Sequence, residues 1–145
     1  MKMKKLIFTV MILGFSLIVV GQEKTEDKHP IDVKFEDCLD NDSNYTTSGM
    51  IDCSQIAEAD WDEELNRYYK LLMGVLEEDA KAKLRKSQIK WIEYRDLEFD
   101  FASQMYADMQ GTMWILEAYG RRINFVKARV LEFKAYYDDY TINDN

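Results

Sequence analysis

Two stretches of the chain answer one another. Asp62, Leu65, Asn66, Tyr69 and Leu72 recur at steps of three and four, and so do Leu84, Gln88, Trp91 and Arg95, with Asp96 adjoining. That spacing marks one face of a helix in each stretch. Between them Val75-Leu76-Glu77-Glu78-Asp79 holds neither proline nor glycine, so the reversal is expected to be tight and polar. Folding back at about Glu78 sets Asp62 against Arg95, Asn66 against Trp91 and Tyr69 against Gln88, three pairs whose numbers each sum to 157. Leu72 and Met73 then close on Leu84. The pattern predicts a helical hairpin whose apolar seam carries an internal polar row of Asp62, Asn66, Tyr69, Gln88, Trp91, Arg95 and Asp96.

The same periodicity extends the elements in both directions. A first long helix is expected from about Ser48 to Leu76, capped by Thr46, Thr47 or Ser48, with Met50, Cys53, Ile56, Ala57, Trp61, Leu65, Tyr68, Leu72 and Val75 inward. A second runs from about Asp79 to Asp108, with Leu84, Trp91, Ile92, Phe99, Ala102, Met105 and Met109 inward. Gln110-Gly111-Thr112 breaks it. A third runs from about Met113 to Tyr137 through Leu116, Ile123, Val126, Val130 and Phe133. Gly120 inside it costs up to ~1 kcal/mol relative to alanine unless it allows close packing on the second helix. No strand-period segment follows residue 21, so the fold class is all-α: an up-down-up bundle of three long helices.

The rest of the chain divides by composition. Met1-Lys2-Met3-Lys4-Lys5 precedes a largely apolar run of 15 residues, Leu6 to Val20, and Gly21. A basic head and a short apolar run, below the ~20 residues of a membrane span, read as a signal peptide over 1–21. An uncleaved anchor is the alternative. Gln22 stands where a lipoprotein carries cysteine, so lipidation is not expected. Residues 22–35, with the sole proline Pro30, read as a flexible linker. Phe35, Cys38 and Leu39 suggest a short turn or half-helix before a polar loop. The helical domain is expected over 36–137 and a frayed tail over 138–145.

Charge adds a constraint on partners. The whole chain carries a net −8, and removal of residues 1–21 leaves 124 residues with 16 basic and 27 acidic side chains, net −11. Such a body disfavours nucleic acid and anionic membranes as partners. No stable membrane insertion is expected after signal cleavage, and the location read is periplasmic or secreted. An acidic body is compatible with a basic protein partner.

Candidate chemistry is sparse. Cys38 and Cys53, 15 positions apart and both past the signal, are most simply a disulfide in an oxidising compartment. Asp40, Asp42 and Asn44 match the opening of a calcium loop, but Tyr45 stands where glycine is wanted and Ile51 where glutamate is wanted. A solvated Asx-rich loop is the reading, with no metal and no cofactor expected. Glu63-Glu64, Glu77-Glu78 and Asp138-Asp139 read as solvated faces, since a slim bundle offers no cleft to hold two carboxylates at fixed separation. The polar row has no nucleophile beside a base, so no catalytic residue is assigned and no enzyme is expected. Its structural role is to lock the register, because a slipped pairing would strand polar groups unsatisfied. Trp61, Trp91 and Phe133 read as core. Tyr45, Tyr106, Tyr136, Tyr137 and Tyr140 read as partly exposed.

The ordered set Cys38…Met50-x-x-Cys53, Asp62-x-x-Leu65-Asn66-x-x-Tyr69-x-x-Leu72, Leu84-x-x-x-Gln88-x-x-Trp91-x-x-x-Arg95-Asp96 and Arg129-x-x-x-Phe133 resembles the LprI-like lysozyme-inhibitor domain family. The resemblance covers about residues 36–134. It implies an exported helical domain of bacterial envelopes that binds and inhibits a lysozyme. It also implies a second cysteine pair joining the later helices, and this chain has Phe99 and Arg121 at those positions. The family supplies no transferable inhibitory motif. The candidate partner contacts are Arg121 and Arg122, a basic pair suited to an acidic catalytic cleft. The alternative is a non-enzymatic envelope module that docks another envelope protein through its helical faces.

Overall fold

The computed structural model describes residues 28–142. The segment read as a signal peptide, the start of the linker and the last three residues lie outside them. Four helices follow in order: α1 (Pro30–Leu39), α2 (Thr47–Val75), α3 (Glu78–Ala107) and α4 (Met113–Ile142), with a 3-10 turn at Asp42–Asn44 between α1 and α2. The three long helices expected from the periodicity are present. The short α1 takes in the half-helix expected around Phe35 to Leu39 and begins earlier, at Pro30.

Helix α1 begins inside the stretch expected to be linker. Pro30 sits in its first turn, where a fixed φ suits the helix and the missing N–H is not needed. His29 caps it, its Nδ1 accepting from the Ile31 N–H at 3.3 Å. Ile31 and Phe35 then lie one turn apart and pack on the core. The disulfide Cys38–Cys53, with Cα atoms 5.8 Å apart, fastens the end of α1 to α2. Thr46 caps α2 through its Oγ1, which accepts from the Gly49 N–H at 3.1 Å. Gly49 is required by space: a Cβ there would meet Asn44 backbone atoms at 2.6 to 3.0 Å.

Burial shows which helices form the core. Ala57, Trp61, Leu65, Tyr68 and Leu72 of α2 interlock with Ile123, Val126, Val130 and Phe133 of α4. Trp61, Val130 and Phe133 are 0% exposed. Helix α3 buries only Gln88 and Tyr106, and offers Leu84, Trp91 and Phe99 as half-buried partners to that core. The principal seam is therefore α2 against α4, not α2 against α3 as the hairpin reading had it. The stripe of α2 was read correctly, but α4 presents a fuller apolar face to it than α3 does.

Several side chains fall elsewhere than expected. Ile56, Ile92 and Met109 are exposed, whereas Tyr106 is buried and stacks on Trp114. A Cβ on Gly120 would meet no heavy atom within 4 Å, so that glycine serves no close approach. Helix α4 continues through Asp138 to Ile142, where fraying was expected. Lys134 pairs with Asp138 at 2.5 Å, and the Thr141 hydroxyl donates to the Tyr137 carbonyl at 2.9 Å.

Candidate functional site

Of the expected polar row, Asp62, Gln88, Trp91, Arg95 and Asp96 make contacts near the junction of α2, α3 and α4, and α4 takes a place among them. Arg95 reaches Asp62 with Nη1–Oδ1 3.4 Å and holds Asp96 with Nε and Nη2 at 2.9 and 2.8 Å. That joins α3 to α2 in the expected register at this one level. At the next levels the partners change. Asn66 is exposed, and its amide donates back to the Asp62 carbonyl at 2.9 Å. Gln88 accepts from Arg129 Nε at 3.2 Å rather than facing Tyr69, whose ring lies 6.3 Å from that of Phe133. The Arg129 guanidinium covers the Phe133 ring at 4.3 Å and the Trp91 ring at 5.8 Å, and its Nη1 pairs with Glu132 at 2.5 Å. Asn66–Trp91 and Tyr69–Gln88 are thus not the working pairs. Arg129 is the residue the hairpin register overlooked, and its four-residue spacing to Phe133 was the available signal.

Beside this junction a cleft of about 550 Å³ opens between the three long helices. Two ion pairs flank it: Asp62–Arg95, and Glu58–Arg122, in which Arg122 Nη2 and Nε donate to Oε1 at 2.6 and 3.0 Å. Phe99 and Val126 supply its apolar part. Arg122 also covers the Phe99 ring at 4.8 Å. Arg121 is placed differently. Its side chain is 61% exposed, with Glu117 at 3.5 Å and Nε donating to the Tyr106 hydroxyl. Of the two basic candidates, Arg122 is tied into the bundle and Arg121 reaches solvent.

A second and wider groove of about 970 Å³ runs along α1 and α2. Asp60, Asp62, Glu63 and Glu64 make its wall predominantly acidic, with Arg67 and Lys70 among them. The Arg67 hydrogen bonds hold the Glu64 carboxyl below the usual glutamate range, with His29 contributing from 3.6 Å. His29 itself lies against Trp61, ring centroids 4.5 Å apart. Across the molecule, Glu132 raises the Tyr136 hydroxyl above its ordinary value by accepting its hydrogen bond. The Asx-rich loop is tied to itself and to α1: Asn41 Oδ1 accepts from the Ser43 N–H at 3.0 Å, and Asn44 donates to the Cys38 carbonyl at 2.9 Å.

At the two positions where the resemblance implied a further crosslink, Phe99 packs edge-on to Phe125 at 5.8 Å and Arg121 lines the same α3–α4 groove. Packing joins the two helices there. Residues 38–133, from the first cysteine to Phe133, match the family described as lysozyme inhibitor LprI. The chain belongs to the LprI family. A crystal structure of an uncharacterized protein from Burkholderia thailandensis is similar at TM-score 0.74 and 29% identity, over 79% of this chain and 56% of that one. This LprI-family chain therefore spans little more than half of that protein's length. No curated protein matches it. Among the described residues no helix is long and apolar enough to cross a membrane.

Proposed function

We propose that this LprI-family protein is exported and binds a lysozyme, slowing cell-wall hydrolysis without acting as an enzyme itself. The family match over residues 38–133 carries the reading. The chemistry of the surface supports it. Animal-type lysozymes are cationic, and the groove along α1 and α2 presents Asp60, Asp62, Glu63 and Glu64 on one wall. Opposite charge of this kind raises encounter rates and fixes orientation more than it adds affinity. Arg121, with a side chain 61% exposed and held from one side by Tyr106, is the one of the two basic candidates nearer to solvent, and could enter an acidic catalytic cleft. The basic head and apolar run at residues 1–20 support signal-directed export to the periplasm or beyond.

The test is turbidity of a cell-wall suspension under an animal-type lysozyme, with and without the exported product of the full chain. Slower clearing at micromolar protein is the expected result, weakened as salt is raised from ~0.05 to ~0.5 M because the Debye length shrinks. Arg121→Gln is expected to reduce inhibition, and a thermal melt run beside it separates that loss from any loosening of the Tyr106 contact. Clearing at the uninhibited rate with every lysozyme tried would remove this reading and leave the alternative, docking of another envelope protein.

A further inference from the structure

Thioether sulfur is concentrated at one end of the bundle. Five methionines follow residue 21, and three of them, Met105, Met109 and Met113, fall within nine residues at intervals of four. Met109 and Met113 are 40% and 65% exposed, and Met105 is half-buried. None of the three belongs to the core. The oxygen donors of a calcium-type loop suit a hard cation, whereas thioether sulfur suits a soft one such as Cu(I).

The groove between α3 and α4 brings these positions together. Glu98, Ala102 and Met105 line it from α3, and Glu117, Arg121 and Asn124 from α4. One turn beyond Met105 on the same wall is Met109, and one turn before Glu117 on the facing wall is Met113. Helix α3 ends at Ala107, but its winding carries on: the Asp108 N–H donates to the Gln104 carbonyl at 3.2 Å and the Met109 N–H to the Tyr106 carbonyl at 3.1 Å. Contacts set the register of the two walls, since Tyr106 stacks on Trp114 and Arg122 covers Phe99. The numbers of those pairs sum to 220 and 221, which puts Met113 level with Ala107 or Asp108, between Met105 and Met109. The connecting loop is held as well: Gly111 takes a φ of 110°, and Trp114 Nε1 donates to the Gln110 carbonyl at 3.1 Å. Three fixed backbone positions thus each carry a flexible, unbranched side chain able to turn its sulfur onto a shared ion.

We propose that Met105, Met109 and Met113 form a three-thioether site for Cu(I) at the loop end of the α3–α4 groove. The ion is bound by coordination alone, with no change of oxidation state. Both cysteines are spent in the Cys38–Cys53 disulfide and offer it no thiolate. Among the described residues no three histidine, cysteine, aspartate or glutamate side chains are grouped as metal ligands, so a harder ion meets no set of that kind there. A thioether has no proton to lose, and its hold on the ion is therefore independent of pH where histidine or carboxylate ligands would titrate.

The test uses the exported product of the full chain with isotopically labelled methionine methyl groups, followed by NMR. Silver nitrate in chloride-free buffer serves as an air-stable probe of the same soft class, and Cu(I) kept reduced by ascorbate without oxygen is the second probe. Each should shift the methyl signals of Met105, Met109 and Met113 together, saturating at one ion per chain in the micromolar range, and leave those of Met50 and Met73 in place. The silver affinity should be the same from about pH 5.5 to about pH 7.5. Met109→Leu and Met113→Leu keep apolar bulk at exposed positions and should melt as the parent does. Each should weaken silver binding about tenfold or more, since losing even a partner of a ligand costs that much. No shift, a shift spread over all five methionines, or leucine variants that bind as the parent does overturn the proposal. Zn(II) moving the same three methyl signals with equal affinity also overturns it, because a thioether site discriminates against zinc. Neither variant touches Arg121 or the α1–α2 groove, so the result stands apart from the lysozyme reading.

Discussion

At the scale of single residues, two glycines in helices have opposite roles, and space decides between them. Gly49 is buried with Asn44 backbone atoms where its Cβ would lie, and backbone cannot rotate aside. Gly49→Ala should lower the free energy of unfolding by about 1–3 kcal/mol. Gly120 meets nothing, so Gly120→Ala should raise it by about 0.5–1 kcal/mol through helix propensity alone. Urea unfolding of the two variants beside the parent checks both, and a loss at Gly120 would mean that position is crowded after all. Glu64 gives a pH dependence with a defined sign. Its carboxyl is depressed below the ordinary glutamate value of 4.5, chiefly by its hydrogen bonds from Arg67. The stabilisation is therefore complete above about 4.5 and is lost as pH falls through the lowered value. Glu64→Gln should melt slightly earlier than the parent at pH 6, by an amount on the order of 0.5 kcal/mol for a surface helix pair, with the gap closing towards pH 3. A gap that widens on acidification would reverse the assignment. At Arg129 the concern is the group left behind. Gln88 is 9% exposed and takes its hydrogen bond from the Arg129 guanidinium. Arg129→Met keeps some of the cover over Phe133 but removes that donor, and should cost about 1–3 kcal/mol in the same measurement.

Among the elements, α1 depends most on covalent chemistry. Ten residues make a marginal helix alone. It stays because Ile31 and Phe35 pack on the core, Asp32 pairs with Lys127 at 2.7 Å, Lys34 pairs with Asp60 at 2.6 Å, and Cys38 is bonded to Cys53. Closing a loop of that length is worth about 3 kcal/mol in the chain-entropy account. Reduction, or Cys38→Ser with Cys53→Ser, should therefore lower the melting temperature and open α1 to proteolysis before α2. Equal cutting of both would show that the bond supports the whole bundle. The three long helices and this disulfide were legible in the sequence because each rests on a local signal: period, cap, break, paired cysteines. Only the end of helix α1 was legible, as a half-helix around Phe35 to Leu39; its start was hidden by composition, since a charged stretch with the only proline reads as linker until Pro30 is seen as a first-turn residue behind a capping histidine. Of the pairings expected along the polar row, one is present. A register sum assumes that sequence neighbours are the packing neighbours, and only Asp62–Arg95 obeys it. Gln88 and Trp91 answer to Arg129, which lies 41 residues beyond Gln88 and cannot be inferred from either helix of the hairpin alone.

Over the whole molecule, α2 and α4 form the durable body, and α3 lies across it with less of its surface removed from water. The α2 stripe buries eight residues and α4 four, whereas α3 has thirty residues and buries two. Its hold on the rest comes from half-buried aromatics, Trp91 and Phe99 on Phe125, and from the Arg95–Asp62 and Arg129–Gln88 contacts. The Arg95–Asp62 pair, half exposed at Asp62, contributes little net free energy, because it replaces bonds to water. Opening α3 away from α2 and α4 should then require less free energy than unfolding the core. Native-state hydrogen exchange measures this directly. Amides of α2 near Leu65 and of α4 near Val130 should exchange only through global unfolding, with strong urea dependence. Amides of α3 from Leu84 to Ala102 should exchange earlier, as one group, with weaker urea dependence. If the α3 amides instead follow those of the core at every urea concentration, the three long helices form one cooperative unit.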